Sequence, residues 1–473
     1  MRESLVGRVR LRGAARLTAV GAAILAGAAA GIAPELAQAE PGDAIVSDAT
    51  RRDVLLAGAI DFRRDLGLRA DRALVARLEA DRDRHPAAVE RYGIALTDSE
   101  LLRVTAGERR AEAVASVVER FARAHRKRFA GLFIDSGGLV RAGFTAGAAR
   151  HLETLRERVA FPAGLETFRA AFSLRALERF ARRIADDLTE LRALGVHRAG
   201  VDVTANTVRV EATEATTALA EELRARYPGA PIELVTAAPA ELAANYERFD
   251  VPPVVGAIQI YRRAGGGRVS CSAGFVATVK GAGRRSLITA GHCGQRGQRF
   301  LHARKRQPAY RVGAVTRDAY RDGSTADALL IGRRGFKGAA SIYTPKPGAG
   351  RGLRGITSVQ RPSALRVGQI VCRSGAGSDR FLGRGVFCGR VEQRAVTAFV
   401  FPGPTRLRRQ VVADVTVCSG DSGGPVYNRH QARGIVSAAG EPINPQCSGE
   451  LLYSQIGNVE SRLDASVATR RRR

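Results

Sequence analysis

Two short motifs in the C-terminal half of the chain contain residue types that suit nucleophilic catalysis. The string TAGHC, residues 289–293, contains His292, and the string CSGDSGGP, residues 418–425, contains Ser422. A serine hydroxyl attacks poorly at neutral pH, so it needs a base to take its proton and a carboxylate to orient that base. We predict that Ser422 is the nucleophile and His292 the base, with Asp327, which lies between them in the chain, as the orienting carboxylate.

The setting of each residue refines these assignments. Asp327 begins an apolar run, ADALLI at 326–331, whereas Asp318 and Asp322 lie among arginines and turn residues and are weaker candidates. Glycines around Ser422 allow a tight turn of the backbone. The amides of Gly420 and Ser422 are therefore predicted to converge into an oxyanion hole for an acyl-transfer transition state.

The same glycine-rich string also fits the G-x-S-x-G pattern of α/β-hydrolases. That fold needs its acid and its histidine after the serine. Only His430 follows Ser422, and it lies too near in sequence to return from a later loop. The order His, Asp, Ser therefore excludes the α/β-hydrolase interpretation.

Taken together, TAGHC and GDSGGP resemble the chymotrypsin-type serine proteases, specifically the secreted bacterial branch of α-lytic protease and the streptogrisins. The resemblance covers about residues 251–461. It implies an all-β protease domain of two six-stranded antiparallel β-barrels, at about 251–345 and 346–462, with a basic tail at 463–473. The implied activity is that of a serine endopeptidase on polypeptide substrates. The alternative is an inactive, protease-like secreted binding protein with a basic surface.

The resemblance also implies substrate-binding positions. Thr416 stands where trypsin-like relatives carry an aspartate, and Val436 replaces the histidine of glutamate-specific relatives, so a neutral pocket is expected. Ser437, Ala438 and Ala439 match the strand that pairs with substrate. The methyl group of Ala439 narrows the pocket entrance, which favours small or medium aliphatic side chains.

Asp421 is expected to be buried beside the nucleophile. A buried carboxylate without a partner is costly, so this residue needs a cation. Arg373 and Arg390 are the candidates, because both lie near a predicted cysteine loop.

The cysteines indicate an exported, disulfide-containing domain. An even number in an exported chain predicts disulfides, and six cysteines allow 15 pairings, among which spacing does not choose. No close C-x-x-C pair occurs, which disfavours zinc. The resemblance implies pairing of sequential neighbours: Cys271 with Cys293, Cys372 with Cys388, and Cys418 with Cys447.

The N-terminus has the pattern of a signal peptide. Five arginines precede an apolar run at 17–32, and the segment ends in Ala37-Gln-Ala39. A charged segment, an apolar segment and an A-x-A site in this order predict cleavage by signal peptidase, so residues 1–39 are assigned as signal peptide and secretion is expected.

Residues 40–250 differ in composition from the part that follows. They contain no cysteine, and apolar residues recur at helical spacing, so a separate α+β domain is predicted. The expected elements are helices at 99–126, 167–194 and 216–227, a hairpin turning at Ala205-Asn206, and a strand at 232–236. The first strand of the next domain is expected at 256–261.

The position of this α+β domain implies, by the same resemblance, a propeptide that assists folding of the protease and inhibits it. An appended domain with its own ligand is the alternative. Paired prolines at 252–253 mark the junction, and cleavage is predicted near 246–249 or after Pro253.

Charge is distributed unevenly along the chain. From residue 251 onward there are 37 Lys and Arg against 11 Asp and Glu, a surplus of 26 within the total of +29. Such a surface attracts anionic surfaces, although an arginine-rich composition is the simpler interpretation. Tryptophan is absent, so specific nucleic-acid binding is not expected. No metal cluster or phosphate loop is recognisable, so we predict no cofactor, and we expect a monomer.

Overall fold

The structure is a computed structural model that describes residues 47–241, 253–264, 267–304, 307–344, 352–401 and 403–470. The predicted signal peptide and the predicted cleavage segment at 246–249 lie outside the described residues. We refer to residues 47–241 as the N-terminal region and to residues 253–470 as the C-terminal region.

Five of the eight α-helices described in the N-terminal region begin at residues whose side chains cap them. Ser47, Asp71, Ser173 and Thr216 each accept a hydrogen bond from a backbone amide three residues on, and Thr97 forms a capping box with Glu100. The helices are α1 (Asp48–Asp65), α2 (Arg72–Ala80), α3 (Pro86–Tyr92), α4 (Asp98–Ala124), α5 (Ala148–Arg156), α6 (Leu174–Asp186), α7 (Leu188–Leu191) and α8 (Thr217–Arg226).

Two small sheets accompany these helices, one of β1 to β3 and one that contains β4 to β6. The strands are β1 (Phe129–Ile134), β2 (Val140–Phe144), β3 (Leu165–Arg169), β4 (Val196–Asp202), β5 (Thr207–Ala212), β6 (Ile232–Thr236) and β7 (Ala240–Glu241).

The predicted helix at 167–194 was wrong at its start. Residues Leu165–Arg169 pair in parallel with β2, so pairing with a neighbouring strand overrides the helical spacing there. The predicted hairpin is confirmed, because Asn206 takes a φ of 56° between β4 and β5, where a left-handed residue closes the turn.

The C-terminal region is built almost wholly of strands. Its elements are β8 (Val254–Gly256), β9 (Gln259–Ala264), β10 (Gly267–Ser272), β11 (Val276–Val279), β12 (Arg285–Thr289), β13 (Arg299–Arg304), β14 (Gln307–Asp318), β15 (Leu329–Gly332), β16 (Gly338–Tyr343), β17 (Leu353–Gly355), β18 (Ser358–Val359), β19 (Ile370–Ser374), α9 (Ala376–Leu382), β20 (Val386–Phe401), β21 (Thr405–Cys418), β22 (Pro425–Asn428), β23 (Gln431–Ala439), β24 (Pro442–Asn444), β25 (Cys447–Gln455), α10 (Ile456–Leu463) and β26 (Ala465–Val467).

The first of these strands differs from the expected single strand at 256–261. The chain forms β8 and β9 with a break at Ala257, whose φ of 66° is incompatible with a continuous strand. β8 pairs with β16, whereas β9 pairs with β10 and β13.

Two large sheets form the C-terminal region. One has eight strands in the order β10-β9-β13-β14-β15-β12-β11-β26. The other has twelve strands. Nine follow the path β19-β22-β23-β25-β21-β20-β4-β5-β6, and β18, β24 and β7 pair with strands of this path. Because β4 pairs antiparallel with β20, the small sheet of the N-terminal region continues the second large sheet.

The two regions also share a hydrophobic core. Phe62 and Tyr92 of the N-terminal region are buried in one cluster with Ile370 and Tyr427 of the C-terminal region. Across the described ranges, no helix has both the length and the apolar character needed to cross a membrane.

Candidate active site

The predicted histidine and aspartate meet at the ends of two paired strands. His292 lies in a single helical turn that follows β12, and Asp327 lies two residues before β15, its antiparallel partner. His292 Nδ1 and Asp327 Oδ2 are 2.7 Å apart, and Oδ1 accepts hydrogen bonds from the amides of Gly291 at 2.6 Å and His292 at 3.0 Å. The carboxylate therefore holds both the ring and the backbone that carries it.

The environment of Asp327 keeps its carboxylate ionised. Complete burial by itself raises the pKa, but the charge of His292 and hydrogen bonds from His292 and Ser437 outweigh it and leave the pKa below its ordinary value. Ser437 Oγ donates to Oδ2 at 2.6 Å. An ionised Asp327 fixes the proton on Nδ1 of the neutral ring, which leaves Nε2 as the basic nitrogen.

Nε2 of His292 is buried and makes no hydrogen bond to the residues that the structure describes. It is the ring nitrogen that faces away from Asp327.

A second layer of side chains supports Asp327 and was not predicted from the sequence. The amide of Asp327 donates to Ser454 Oγ at 2.8 Å, and Ser454 in turn donates to Gln410 Oε1 at 2.8 Å. Ser454 is on β25 and Gln410 on β21, so these contacts arise from strand pairing across the second large sheet. No local pattern near Asp327 signals these partners.

The loop that carries Ser422 is held against the end of β12. Gly420 and Gly423 take φ values of 98° and 81°, a conformation that favours glycine. A Cβ atom on Gly423 would lie 1.9 Å from Thr289 Oγ1, so only glycine permits this approach. Ser272 fixes the same loop, with its amide donating to the Ser422 carbonyl at 2.8 Å and its hydroxyl to the Gly420 carbonyl at 2.7 Å.

Asp421, between the two predicted oxyanion donors, is fully buried and has a cationic partner. Arg373 lies 2.9 Å from its Oδ2, and both side chains are completely inaccessible to solvent. Oδ1 accepts from the amide of Ser378 at 3.0 Å, and Oδ2 accepts from the amide of Cys418 at 2.8 Å. Of the two candidate arginines, Arg390 instead donates to the backbone carbonyl of Asp65 in α1.

The predicted substrate strand is β23, and the N-terminal region pairs with it. Ala439 is the antiparallel partner of Glu241 in β7, and β7 also pairs in parallel with the end of β20. Ala438 is buried between neighbouring strands, and the Ser437 hydroxyl contacts Asp327. Of the three predicted positions, Ala439 is thus the one that meets an extended segment of the N-terminal region.

Thr416, the predicted base of the specificity pocket, lies against the N-terminal region. A Cβ atom added to Gly58 in α1 would lie 3.5 Å from Thr416 Oγ1, so this side chain faces α1. The regular alternation of β21 explains this orientation, because Val415 and Val417 occupy the opposite, core-facing side. The role of Thr416 in the pocket stays a prediction, since this contact belongs to the full chain that still carries the N-terminal region.

Asp414 shares this face with Thr416 and lies opposite acidic residues. Burial is the largest cause of its raised pKa, and Asp65 and Asp61 of α1 and Glu450 of β25 add to it, which brings the pKa to about 6. Asp65 and Asp61 of the N-terminal region thus lie near Asp414 of the C-terminal region.

All three disulfide pairings implied by the resemblance are confirmed. The bonds join Cys271 to Cys293, Cys372 to Cys388, and Cys418 to Cys447. Ligand atoms of Cys271, Cys293 and His292 lie within 4.8 Å of one another. The two sulfurs are bonded to each other, so they offer no thiolate to a metal ion.

Comparison with known families assigns the fold. The protein-family model described as Trypsin matches residues 282–451, which contain His292, Asp327 and Ser422. The chain contains a trypsin-like serine protease domain. The C-terminal region is accordingly an all-β domain of the chymotrypsin type, and we call it the protease domain below.

Solved structures of bacterial proteases are similar to this domain. Nocardiopsis protease is 24% identical with a TM-score of 0.36, and the match covers 46% of this chain and 99% of that chain. Thermobifida fusca protease A is 22% identical with a TM-score of 0.36, at 46% and 99% coverage. Cellulomonas bogoriensis chymotrypsin is 22% identical with a TM-score of 0.35, at 46% and 99% coverage. A comparison with curated proteins found no match.

Proposed function

We propose that this protein is a secreted serine endopeptidase that hydrolyses peptide bonds through an acyl-enzyme intermediate. The hydrogen bond from His292 to the buried, ionised Asp327 carries this proposal. That contact prepares a basic ring nitrogen in the same part of the domain as the glycine-rich loop of Ser422. The trypsin-like domain supports peptide hydrolysis as the reaction.

In the proposed mechanism, Ser422 Oγ attacks the carbonyl carbon of the scissile bond while His292 Nε2 takes the hydroxyl proton. The amides of Gly420 and Ser422 stabilise the oxyanion of the tetrahedral intermediate. Collapse of this intermediate breaks the C–N bond, and His292 gives its proton to the leaving amine. A water molecule, deprotonated by His292, then attacks the acyl carbon. Collapse of this second tetrahedral intermediate breaks the bond to Ser422 Oγ and releases the acid, and His292 returns its proton to Ser422 Oγ.

We further propose that the full chain is a zymogen inhibited by its N-terminal region. Ser422 is fully buried, and the side chain of His292 is only 6% exposed. The antiparallel pairing of Glu241 with Ala439 resembles the way an extended peptide adds to a strand edge, which supports competition with substrate. Cleavage between β7 and β8 would separate the two regions, and the signal-peptide pattern with three disulfides supports secretion.

For specificity, we propose a neutral pocket for small or medium aliphatic side chains. Thr416 faces α1, whereas Ala439 is the predicted pocket residue that pairs with an extended segment, β7. A methyl group at this point reduces the space for large aromatic side chains.

The test is intact-mass analysis of secreted wild type and Ser422→Ala after exposure to a fluorophosphonate probe. We expect a shortened, labelled wild type and an uncut, unlabelled variant, which would assign both the nucleophile and the self-processing. Ser419→Ala is the matched control, because it removes a hydroxyl three positions away in the same motif and should still be cut and labelled.

The main alternative is a protease-like binding protein without activity. Absence of labelling in wild type, with the chain folded and its disulfides formed, would favour that alternative. Labelling of Ser422→Ala would instead place the nucleophile elsewhere.

A further inference from the structure

One helix of the N-terminal region presents a row of carboxylates to the protease domain. Glu108, Glu112 and Glu119 are spaced by four and seven residues along α4, so they lie on one face of the helix. The protease domain meets this row with a group of arginines, Arg366, Arg429 and Arg433, which we call the arginine face.

The contacts at one end of this row are close, and they join a buried arginine to carboxylates that are partly exposed, Glu112 by 52% and Glu119 by 25%. Arg366 is only 3% exposed and forms a fork with Glu119, with Nε and a terminal nitrogen 2.7 and 2.8 Å from its two oxygens. Its other terminal nitrogen lies 2.8 Å from Glu112. Such paired, charge-assisted hydrogen bonds select a carboxylate by geometry as well as by charge.

The contacts at the other end are looser. Arg429 and Asn428 each reach Glu108 at 3.4 Å. A cavity of about 270 Å³ lies between α4 and the protease domain here, and Arg433 lines it. Nε of Arg433 is buried and has no hydrogen-bond partner within the described ranges. At this end of the arginine face, α4 therefore leaves a hydrogen-bond donor, Nε of Arg433, without an acceptor.

The surface beside the arginines is apolar. Val104 of α4 is buried in the cluster that includes Ile370 and Tyr427 of the protease domain, and Leu101 packs against the same cluster. A binding surface that combines an apolar strip with several arginines suits an amphipathic polypeptide that presents carboxylates on one face. A uniformly charged polymer would leave the apolar strip uncovered.

The arginine face also adjoins the proposed active site. Arg433 and Ser437 are both on β23, four residues apart, which corresponds to about 13 Å along a strand. A polypeptide with its scissile bond in the cleft could therefore reach the arginine face with a segment only a few residues away.

We infer that the arginine face, once the N-terminal region has been removed, binds acidic amphipathic segments of polypeptide substrates. The α4 helix is then the intramolecular occupant of a substrate-docking surface. The surplus of 26 positive charges after residue 250 supports this role, because departure of α4 leaves the arginines without their carboxylates. The claim that the bound segments belong to substrates rests on the proposed endopeptidase function, whereas the binding itself does not depend on that function.

Binding is measured without catalysis, by fluorescence anisotropy. The folded Ser422→Ala chain is cleaved within residues 242–252 by an added protease at an inserted recognition sequence, and the protease domain is separated from the N-terminal region. The probe is a labelled peptide of residues 98–124, in which five Asp and Glu balance five Arg over the whole segment. We call it the acidic peptide after the row of Glu108, Glu112 and Glu119 on one helix face. We expect that Glu108→Gln, Glu112→Gln and Glu119→Gln together in this peptide weaken binding at least tenfold, because three partly exposed carboxylates lose their charge opposite the arginines.

Receptor variants check the location of the bound peptide. Arg366→Gln and Arg429→Gln should each weaken binding of the acidic peptide, whereas Arg299→Gln, an exposed arginine of the other large sheet, should not. Changing the peptide instead of the protein keeps the test valid if Arg366→Gln fails to fold. Equal binding of the acidic and the glutamine peptide would overturn the inference, as would inorganic polyphosphate that displaces the peptide and binds more tightly.

A kinetic arm links binding to the proposed function. With active processed enzyme, a substrate carrying the acidic segment should show a KM at least tenfold lower than its glutamine counterpart, with kcat unchanged. If the protein neither processes itself nor hydrolyses peptides, yet the acidic peptide binds as expected, the docking surface stands and the proposed function fails. Hydrolysis with no preference for the acidic segment overturns the docking surface alone.

Discussion

The buried pair of Arg373 and Asp421 should be among the most sensitive points of the protease domain. Both side chains are inaccessible to solvent, and they are 2.9 Å apart. Arg373 also donates to the Thr416 carbonyl at 2.7 Å and lies over the ring of Phe387 at 4.7 Å. Replacing Arg373 by glutamine therefore removes the positive charge that lies beside Asp421.

The expected cost follows from this geometry. Two unit charges about 4 Å apart interact by about 4 kcal/mol at an effective dielectric constant of 20. Breaking one half of a buried pair typically costs about 3–5 kcal/mol, because the remaining charge stays buried. We therefore expect Arg373→Gln to lower the free energy of unfolding by about 3–5 kcal/mol, a large part of the roughly 5–15 kcal/mol of a typical domain.

The assay is urea unfolding followed by far-ultraviolet circular dichroism, in the Ser422→Ala background to prevent self-digestion. Asp421→Asn should also destabilise the protein, and the double variant should cost about 1–3 kcal/mol less than the sum of the two, because the residues are in contact. Arg299→Gln, at an exposed site, should change stability by less than about 0.5 kcal/mol. An effect of Arg373→Gln no larger than that of Arg299→Gln would refute the reasoning and show that the backbone amides and the Ser378 hydroxyl suffice to hold Asp421.

Three further predictions concern the active site and the interface. Ser437→Ala removes a 2.6 Å hydrogen bond to ionised Asp327. Because a hydrogen bond to a charged group contributes about 1.5–3 kcal/mol, we expect kcat/KM to fall about tenfold or more. Steady-state kinetics measures this with Ser419→Ala as control, and an unchanged kcat/KM would contradict the prediction. Burial, with Asp65 and Asp61 of α1 among the added causes, raises the pKa of Asp414 to about 6 while the regions are docked, and separation removes these two carboxylates, so docking favours the protonated form and should weaken as the pH rises past about 6. Size-exclusion chromatography of the cleaved chain at pH 5 and pH 7.5 measures whether the two regions stay associated. Association should depend much less on pH in Asp414→Asn, and an unaltered pH dependence in that variant would count against the prediction. Ala439→Gly should raise kcat/KM for phenylalanine relative to valine substrates, as measured with matched peptide series, and a preference that stays the same would remove Ala439 from the pocket.

Local sequence was sufficient wherever chemistry depends on neighbouring residues. TAGHC and GDSGGP identified His292 and the glycine-rich loop of Ser422, because a tight turn requires glycine at fixed positions. The hairpin at Asn206 and the caps of α4 and α8 were predictable for the same reason: turns and caps use side chains within a few residues.

The resemblance to a known family supplied more than spacing could. Six cysteines allow 15 pairings, and the correct pairing came from the family pattern. Arg373 and Arg390 were equally plausible partners for Asp421 from their positions in the chain. Only packing distinguishes them, because Arg390 is directed to α1 and Arg373 to the interior.

Contacts between distant segments account for the remaining errors and omissions. The contact of Thr416 with α1 was not predicted, because the face that a strand residue presents depends on its register with neighbouring strands. Ser454 and Gln410 support Asp327 from strands more than 80 residues away, so no motif announces them. Residues 165–169 became a strand because β2 offered a free edge.

The sequence therefore specified the reactive groups, the turns and the disulfide-bonded domain, since these depend on residue type and short spacing. Folding of the chain specified which groups face one another: Nδ1 of His292 and the carboxylate of Asp327, Arg373 and Asp421, and the carboxylates of α4 against the arginine face. These pairings depend on distances across sheets and between regions, which one-dimensional spacing does not encode.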